Sequence, residues 1–284
     1  MTPHGALAQV HAEHGLDLAL EGQCPGGEVG AYYARASDGT RYVFKWFDDP
    51  VELNRLNAMV ERLSRLRAKG YLLPRYLAPI RVEGGVVLIQ DAVPGAWRDD
   101  VNSGLVEAVV TLNDLQAGEG RGQDTWTEYM HRTLVEGAEH YCIHETLRSH
   151  SSATRRVLGW VESVGRDLGP LPSGDVVHLD FHHRNILREG ERVTAVVDWE
   201  GSQSGDRVFD LVTFCFGFTH ARAEPGVEGA IWKRASELGT PDSLAAYVAH
   251  MSLRRLDWTI RHHPEELKPL AQLVERYIAQ VAEP

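Results

Sequence analysis

The stretch Val176–Glu200, VVHLDFHHRNILREGERVTAVVDWE, decides the fold. Two short apolar runs, Val176-Val177 and Val193-Thr194-Ala195-Val196-Val197, read as strands. The first leads into His178, Asp180 and then Asn185; the second delivers Asp198. Between them, Ile186-Leu187 reads as another strand and Arg188-Glu189-Gly190-Glu191 as a turn, so a hairpin can return Asp198 toward Asn185. A carboxylate able to orient a hydroxyl is then joined by a second carboxylate and an amide oxygen. Hard oxygens of this kind suit Mg²⁺, which takes one or two protein groups and completes its shell with phosphate and water. Phosphoryl transfer asks for this set: metal, in-line hydroxyl and little covalent chemistry from the protein.

The pattern His-x-Asp-x-x-x-x-Asn, followed by an apolar strand ending in Asp, resembles the catalytic loop and metal-binding Asp of the protein-kinase-like aminoglycoside phosphotransferases. The resemblance implies that Asp180 is the catalytic base, that Asn185 and Asp198 hold Mg²⁺, and that His178 organises the loop. It also implies a structural Asp just downstream, matched by Asp210 in Asp210-Leu211-Val212. The sequence departs from the pattern at Leu179, where many relatives have Gly, and at His183-Arg184, where Pro-Gly is frequent. Trp199-Glu200 stands where protein kinases have Phe-Gly, and only residues 199–209 separate Asp198 from Asp210. Both features argue against a peptide-presenting activation segment. A plain hairpin with an accidental Asp/Asn arrangement is the rival reading. It is disfavoured because further parts of the same machinery follow in order.

The chain has 284 residues, 43% of them apolar, enough to bury a substantial core in one or two domains. A formal charge of −11 speaks against nucleic acid as the main partner and is permissive for a cationic ligand. Cys24, Cys142 and Cys215 are far apart and form no C-x-x-C pair, so neither a disulfide framework nor a zinc ribbon is expected. No stretch has the length and apolarity of a membrane span, and the N-terminus lacks a secretory pattern. The expectation is a cytoplasmic protein without a membrane or nucleic-acid partner.

Residues 1–90 read as a sheet with one helix. Leu16–Leu20 and Val29–Ala36 are strand-like and flank a glycine-rich turn containing Gly26, Gly27 and Gly30. Such a turn can let backbone N–H groups approach phosphates, although no Gly-Lys-Ser/Thr follows and a simple hairpin explains it as well. Ser37-Asp38-Gly39-Thr40 is a strong turn signal leading into the strand Arg41–Phe47, which sets Lys45 among aromatics. An edge-strand lysine would keep its ammonium in water. The resemblance instead makes Lys45 the residue that holds the nucleotide phosphates. In the helix that follows, Asp49 and Pro50 mark the start and Leu53, Leu56, Val60 and Leu63 form the apolar stripe. The resemblance calls for a glutamate here to pair with Lys45. Glu61 matches by placement, although periodicity turns it away from the stripe, where Glu52 lies closer. A second hairpin, Ile80–Glu83 and Val86–Ile89, runs into Gln90-Asp91-Ala92-Val93, which the resemblance makes the hinge that meets the nucleotide base.

From Trp97 onward helical periodicity dominates: Leu105–Gln116, Trp126–Leu147, Thr154–Leu168, Phe209–Phe216, Val227–Leu238, Leu244–Ile260 and Leu267–Val281. His140 and His144 fall four apart in one of these, but without a third ligand a solvated face is the better reading. The expected fold is therefore α+β and two-lobed, protein-kinase-like: a nucleotide-binding lobe over 1–92 with an antiparallel sheet, and a mainly helical lobe over 93–284.

The expected activity is transfer of the γ-phosphate of ATP or GTP, with Mg²⁺, to a hydroxyl of a small cationic antibiotic. The candidates are a tuberactinomycin peptide such as capreomycin or viomycin, or an aminoglycoside. A general likeness to the peptide-antibiotic group rests on Gly-Gly-Glu-Val-Gly and Tyr-Val-Phe-Lys-Trp-Phe. Glu200 and Asp257 are the carboxylates expected to receive the substrate's cations, from a wider set with Glu139, Glu145, Glu224 and Glu228. The alternatives are a metabolic kinase of the choline or homoserine type and a non-catalytic nucleotide-binding pseudokinase. The pseudokinase is disfavoured because Lys45, Asp180, Asn185 and Asp198 are all retained.

Overall fold

A computed structural model describes residues 2–25, 30–121 and 125–282. The first elements in chain order are α1 (Pro3–His14), β1 (Leu18–Gln23), β2 (Ala31–Ala36), β3 (Arg41–Phe47), α2 (Glu52–Ala68), β4 (Ile80–Val82) and β5 (Gly85–Asp91). Then follow β6 (Asp100–Val101), α3 (Ser103–Leu115), α4 (Trp126–Val135), α5 (His144–His150), α6 (Ser152–Arg166) and β7 (Asp175–Val177). The remainder is β8 (Ile186–Glu189), β9 (Arg192–Val196), β10 (Gln203–Gly205), α7 (Val208–Phe216), β11 (Arg222–Ala223), α8 (Val227–Leu238), α9 (Pro241–His262) and α10 (Leu267–Ala282). Two compact units divide the chain: residues 1–96 with 186–200, and residues 97–185 with 201–284.

The first unit is built on one antiparallel sheet in the order β1-β2-β3-β5-β4. Strand β3 is central, so Lys45 faces Ala31 on one side and Leu88 on the other in register. One face of this sheet buries Leu18, Ala34, Phe44, Val87 and Ile89 against Ala6, Leu7 and Val10 of α1. Helix α1 is a second helix where the sequence suggested only one. Its signal is local: Thr2 caps it by accepting the Gly5 N–H at 3.2 Å, and Pro3 occupies the first turn. Helix α2 follows β3 as expected and buries Leu56, Met59, Leu63 and Leu66. The predicted hairpin is present as β8 and β9, with Ile186 opposite Val196 and Gly190 at a φ of 59° in the turn.

The second unit is mainly helical, and α9 runs through it, contacting α4, α5, α6, α7 and α10. Every residue of α7 is buried. The helix expected over Trp126–Leu147 is broken: α4 ends at Val135, Gly137 and Cys142 adopt positive φ, and α5 begins at His144. His140 and His144 therefore do not share a helix. His144 is buried, with its ring 3.2 Å from the Thr133 carbonyl and 3.5 Å from Glu162. Among the described residues no cluster of His, Cys, Asp or Glu forms a metal site of three or more ligands, and no helix is long and apolar enough to cross a membrane. Cys142 and Cys215 are buried thiols and no cysteine is in a disulfide. The antiparallel sheet of the first unit and the helices of the second give the expected α+β, kinase-like class.

Candidate active site

In the first unit, Lys45 is a buried charge. Its residue exposure is 8%, and its ammonium lies 2.6 Å from Asp198 Oδ1 and 2.9 Å from Glu200 Oε2. Burial would depress this ammonium; the carboxylates of Glu200 and Asp198 outweigh it and raise the group above its ordinary range. Burial pushes the Glu200 carboxyl up, against the pull of Lys45. A central strand explains the site: β3 is hydrogen-bonded on both edges, so a side chain on its pleat cannot swing to solvent as an edge lysine would.

Asp198 follows β9 at a φ of 71°, in the left-handed region that non-glycine residues seldom occupy. The next residue holds the turn. Trp199 is fully buried, donates its indole N–H to the Val196 carbonyl at 2.9 Å and meets the Tyr71 ring edge-on at 5.3 Å. The turn Trp199–Gly201 then carries Glu200, whose backbone carbonyl accepts from Arg55 of α2.

In the second unit the loop after β7 is pinned from below by Asp210. This carboxylate, fully buried in α7, accepts the His178 N–H at 2.8 Å and the Leu179 N–H at 3.1 Å. It also accepts the Gln116 amide at 2.7 Å, and Gln116 in turn donates to the Val176 carbonyl at 2.9 Å. Burial pushes the Asp210 carboxyl up to about 7, against these donors. Asp210 thus has the loop-supporting position expected of it.

Leu179 sits at a φ of 70°, which explains why glycine is common there: the backbone needs the left-handed region. Its peptide is held on both sides, because its carbonyl accepts from Arg254 Nη1 at 2.6 Å. His178 is fully buried and its Nδ1 accepts the Asp180 N–H at 3.2 Å. Asn185 donates Nδ2 to the Asp180 carbonyl at 2.8 Å, which assigns its other terminal atom, Oδ1, as the ligand-type oxygen. Asp180 remains 38% exposed and is met by Arg254 Nη2 at 2.9 Å and His182 at 3.4 Å. Partial burial would raise its carboxyl, but Arg254 foremost, with His182 and His178, overrides that and holds it well below the usual carboxylate range. The group is ionised and acceptor-ready at neutral pH. Each unit thus offers an oxygen of the kind Mg²⁺ prefers, the Asp198 carboxylate in the first and the Asn185 amide in the second.

Several expected residues lie elsewhere. Glu61 is not beside Lys45: its side chain is 79% exposed and pairs with Arg65 at 2.9 Å. The periodicity of α2, which turned Glu61 outward, prevails over placement by resemblance. Glu200 belongs to Lys45 rather than standing as a substrate carboxylate, with 12% side-chain exposure. Asp257 is fully buried and both its oxygens accept from Arg261, at 2.8 and 2.9 Å. A carboxylate so placed completes an internal ion pair and does not face a ligand. Of the wider acidic set, Glu228 is taken by Arg276 and Glu145 by Arg148.

At the expected hinge, Gln90 and Asp91 still lie in β5. The Asp91 N–H donates to the Arg75 carbonyl at 2.9 Å and the Ala92 N–H to the Arg41 carbonyl at 3.1 Å, ahead of Val93. Gly26 and Gly27 fall outside the described residues; Gly30 directly precedes β2.

Two residues that sequence reasoning passed over are Gln116 and Arg254. Gln116 carries no local signal. Arg254 carried a weak one: it stands beside Arg255 in the run Met251-Ser252-Leu253-Arg254-Arg255-Leu256, two guanidinium groups following a stretch of α9 that is buried from Ala246 to Leu253.

The APH family profile, described as "Phosphotransferase enzyme family", matches residues 23–247. No curated protein matches the chain. Solved structures do. A thermostable mutant of aminoglycoside phosphotransferase APH(4)-Ia, bound to ADP and hygromycin B, is 17% identical over 99% of each chain with a TM-score of 0.67. Spectinomycin phosphotransferase APH(9)-Ia, bound to ADP and spectinomycin, is 13% identical over 98% of each chain with a TM-score of 0.63. Macrolide 2'-phosphotransferase MphH from Brachybacterium faecium is 20% identical over 98% of each chain with a TM-score of 0.59. At these identities the likeness is one of fold.

Proposed function

Because the chain belongs to the APH phosphotransferase enzyme family, we propose that it transfers the γ-phosphate of ATP or GTP to a hydroxyl of a small molecule of the antibiotic type. The observation that carries this reading is the buried Lys45 ammonium in contact with Asp198, the motif aspartate. A cation fixed on a central strand beside a metal-type carboxylate has a purpose in holding nucleotide phosphates. In this reading Asp198 and Asn185 hold Mg²⁺, which neutralises charge on the phosphates when bound. Asp180, ionised by Arg254, orients the acceptor hydroxyl and takes its proton, and His178 and Asp210 keep the loop in shape. The Val93 end of the hinge serves the base.

For the acceptor, two of the similar solved structures are complexes with ADP and hygromycin B or spectinomycin. Capreomycin, viomycin and aminoglycosides remain candidates within the proposal. However, the carboxylates first assigned to a cationic acceptor are engaged with Lys45 and Arg261, and the ion-pairing groups that meet Asp180 in its own unit are Arg254 and His182. The acceptor is therefore sought across charge types.

The test incubates the full chain with Mg²⁺ and either ATP or GTP. The acceptor panel holds capreomycin, viomycin, an aminoglycoside, a macrolide, spectinomycin, choline and homoserine, and mass spectrometry reads the gain of one phosphoryl group. A phosphorylated antibiotic is the expected result. Phosphorylation of choline or homoserine alone would move the protein to metabolism, and a chain that neither binds nucleotide nor modifies any acceptor would overturn the proposal.

A further inference from the structure

Helix α2 is where a carboxylate partner for Lys45 was expected, and the helix offers a different charge. Glu61 points outward, while Arg55 donates to the backbone carbonyl of Glu200 and to the Glu52 carboxylate. The acid that meets Lys45 from a buried position comes from the turn after Asp198: Glu200, 2.9 Å from Nζ. Its placement is secured on both sides. The fully buried Trp199 pegs the turn through the Val196 carbonyl and Tyr71, and Arg55 grips the Glu200 carbonyl. The two carboxylates on Lys45 also differ in surroundings: the Asp198 side chain is 49% exposed and that of Glu200 only 12%. The more buried partner acts in the lower dielectric and governs where the ammonium sits; the exposed one remains accessible to ligand.

We propose that Glu200 is the positioning residue of Lys45, taking the part of a helix α2 glutamate, and that α2 contributes through Arg55 to the Glu200 backbone instead. This rests on the phosphotransferase reading. It makes the carboxylate that positions the phosphate-binding lysine a property of the turn after β9, with α2 acting on that turn through Arg55 and the Glu52 that pairs with it.

The experiment measures binding of a fluorescent ATP analogue to the full chain, without metal and across a Mg²⁺ titration. The variants are Glu200→Gln, Lys45→Met, the two combined, and Glu61→Gln. Glu200→Gln is expected to weaken metal-free nucleotide binding about tenfold, the scale of one charge-assisted contact. In the Lys45→Met background the same change should add little, Glu61→Gln should bind as the parent does, and the half-saturating Mg²⁺ concentration should not move with Glu200→Gln. Thermal melting checks folding. If Glu200→Gln does not fold, Glu200→Asp, which keeps the charge but shortens its reach, carries the same comparison.

Fully additive losses in the double variant, a loss in Glu61→Gln as large as in Glu200→Gln, or a raised Mg²⁺ requirement that marks Glu200 as a metal ligand would each overturn the proposal. A parent protein that binds the analogue, with Glu200→Gln binding equally well, defeats the role of Glu200 alone. A parent that binds no nucleotide defeats the phosphotransferase reading, and this proposal with it.

Discussion

The two charged clusters use one device with opposite polarity. In the first unit a single ammonium, Lys45, is held between two carboxylates, Asp198 and Glu200. In the second a single carboxylate, Asp180, is held by the Arg254 guanidinium with His182 close by. A partly buried charge is tolerable only when opposite charge and hydrogen bonds offset its lost hydration. The difference lies in what supplies the counter-charge. For Lys45 it comes from Asp198 and Glu200, two residues apart in one turn. For Asp180 it comes from a helix 74 residues further along the chain.

The largest effects should separate the two clusters by function. Asp180→Ala is expected to lower phosphoryl transfer by about 10²–10⁴-fold, the usual contribution of a positioned base, while leaving nucleotide binding near its parent level. Asp198→Ala should remove both turnover and the Mg²⁺-dependent part of nucleotide binding. Side-by-side turnover and nucleotide titration decide it: near-normal turnover in Asp180→Ala would end its assignment as base.

Arg254 sharpens the comparison next. Its fork serves two acceptors, the Leu179 carbonyl and Asp180 Oδ1, which a lysine cannot serve in the same way. Arg254→Met should lower kcat by about ten- to a hundredfold, the scale of a lost charge-assisted pair. The sign on pH follows. Arg254 holds the Asp180 carboxyl below its ordinary range, so removing it raises that group, and the acid limb of the pH–activity profile moves to higher pH. A reduced rate with an unmoved acid limb would make Arg254 a purely structural contact of Leu179.

Asp210→Asn probes the floor beneath the loop. Two backbone N–H groups and one amide point at this carboxylate, and an asparagine can turn an acceptor to only one side. A buried donor left unpaired costs about 1–3 kcal/mol, so a lowered melting temperature is expected together with reduced turnover. Unchanged stability would show that the loop holds its left-handed Leu179 without this anchor.

How legible these features were depends on how far apart their parts lie in the chain. The loop, the hairpin, the strand that carries Lys45 and the position of Asp210 under the loop could be read because each belongs to a short motif or an alternating strand. Helix α1 was missed although Thr2 and Pro3 announce its start, because its apolar face holds only Ala6, Leu7 and Val10. The break at residues 136–143 was missed because helical spacing of apolar residues continues across it, and only Gly137 hints at an interruption. Glu61 shows the opposite error, in which placement by resemblance overruled a periodicity that was right. Arg254 and Gln116 act on residues dozens of positions away, and no local pattern records such a pairing.

The smallest effect concerns a neutral histidine behind the Asp180 cluster. His250 is fully buried in α9, with Nε2 3.0 Å from the Tyr129 hydroxyl and its ring perpendicular to Phe209 at 5.0 Å. Burial first, and Arg254 second, push it down to about 3, while the unfolded chain would titrate it near 6.5. As pH falls below that value the unfolded state takes up a proton that the folded state refuses. Stability is therefore lost between about pH 6.5 and pH 3, at no more than about 1.4 kcal/mol per pH unit for this one group. His183, buried and pushed down to about 4, adds a second proton over the upper part of the same window. His250→Gln keeps a polar group for Tyr129 but cannot titrate, so its unfolding free energy from urea titrations should fall less steeply with acid than the parent's. The difference in slope should approach one proton at pH 5. Parallel slopes would mean that His250 is protonated in the folded chain, which would place a second cation behind Arg254 and change the charge balance drawn for Asp180.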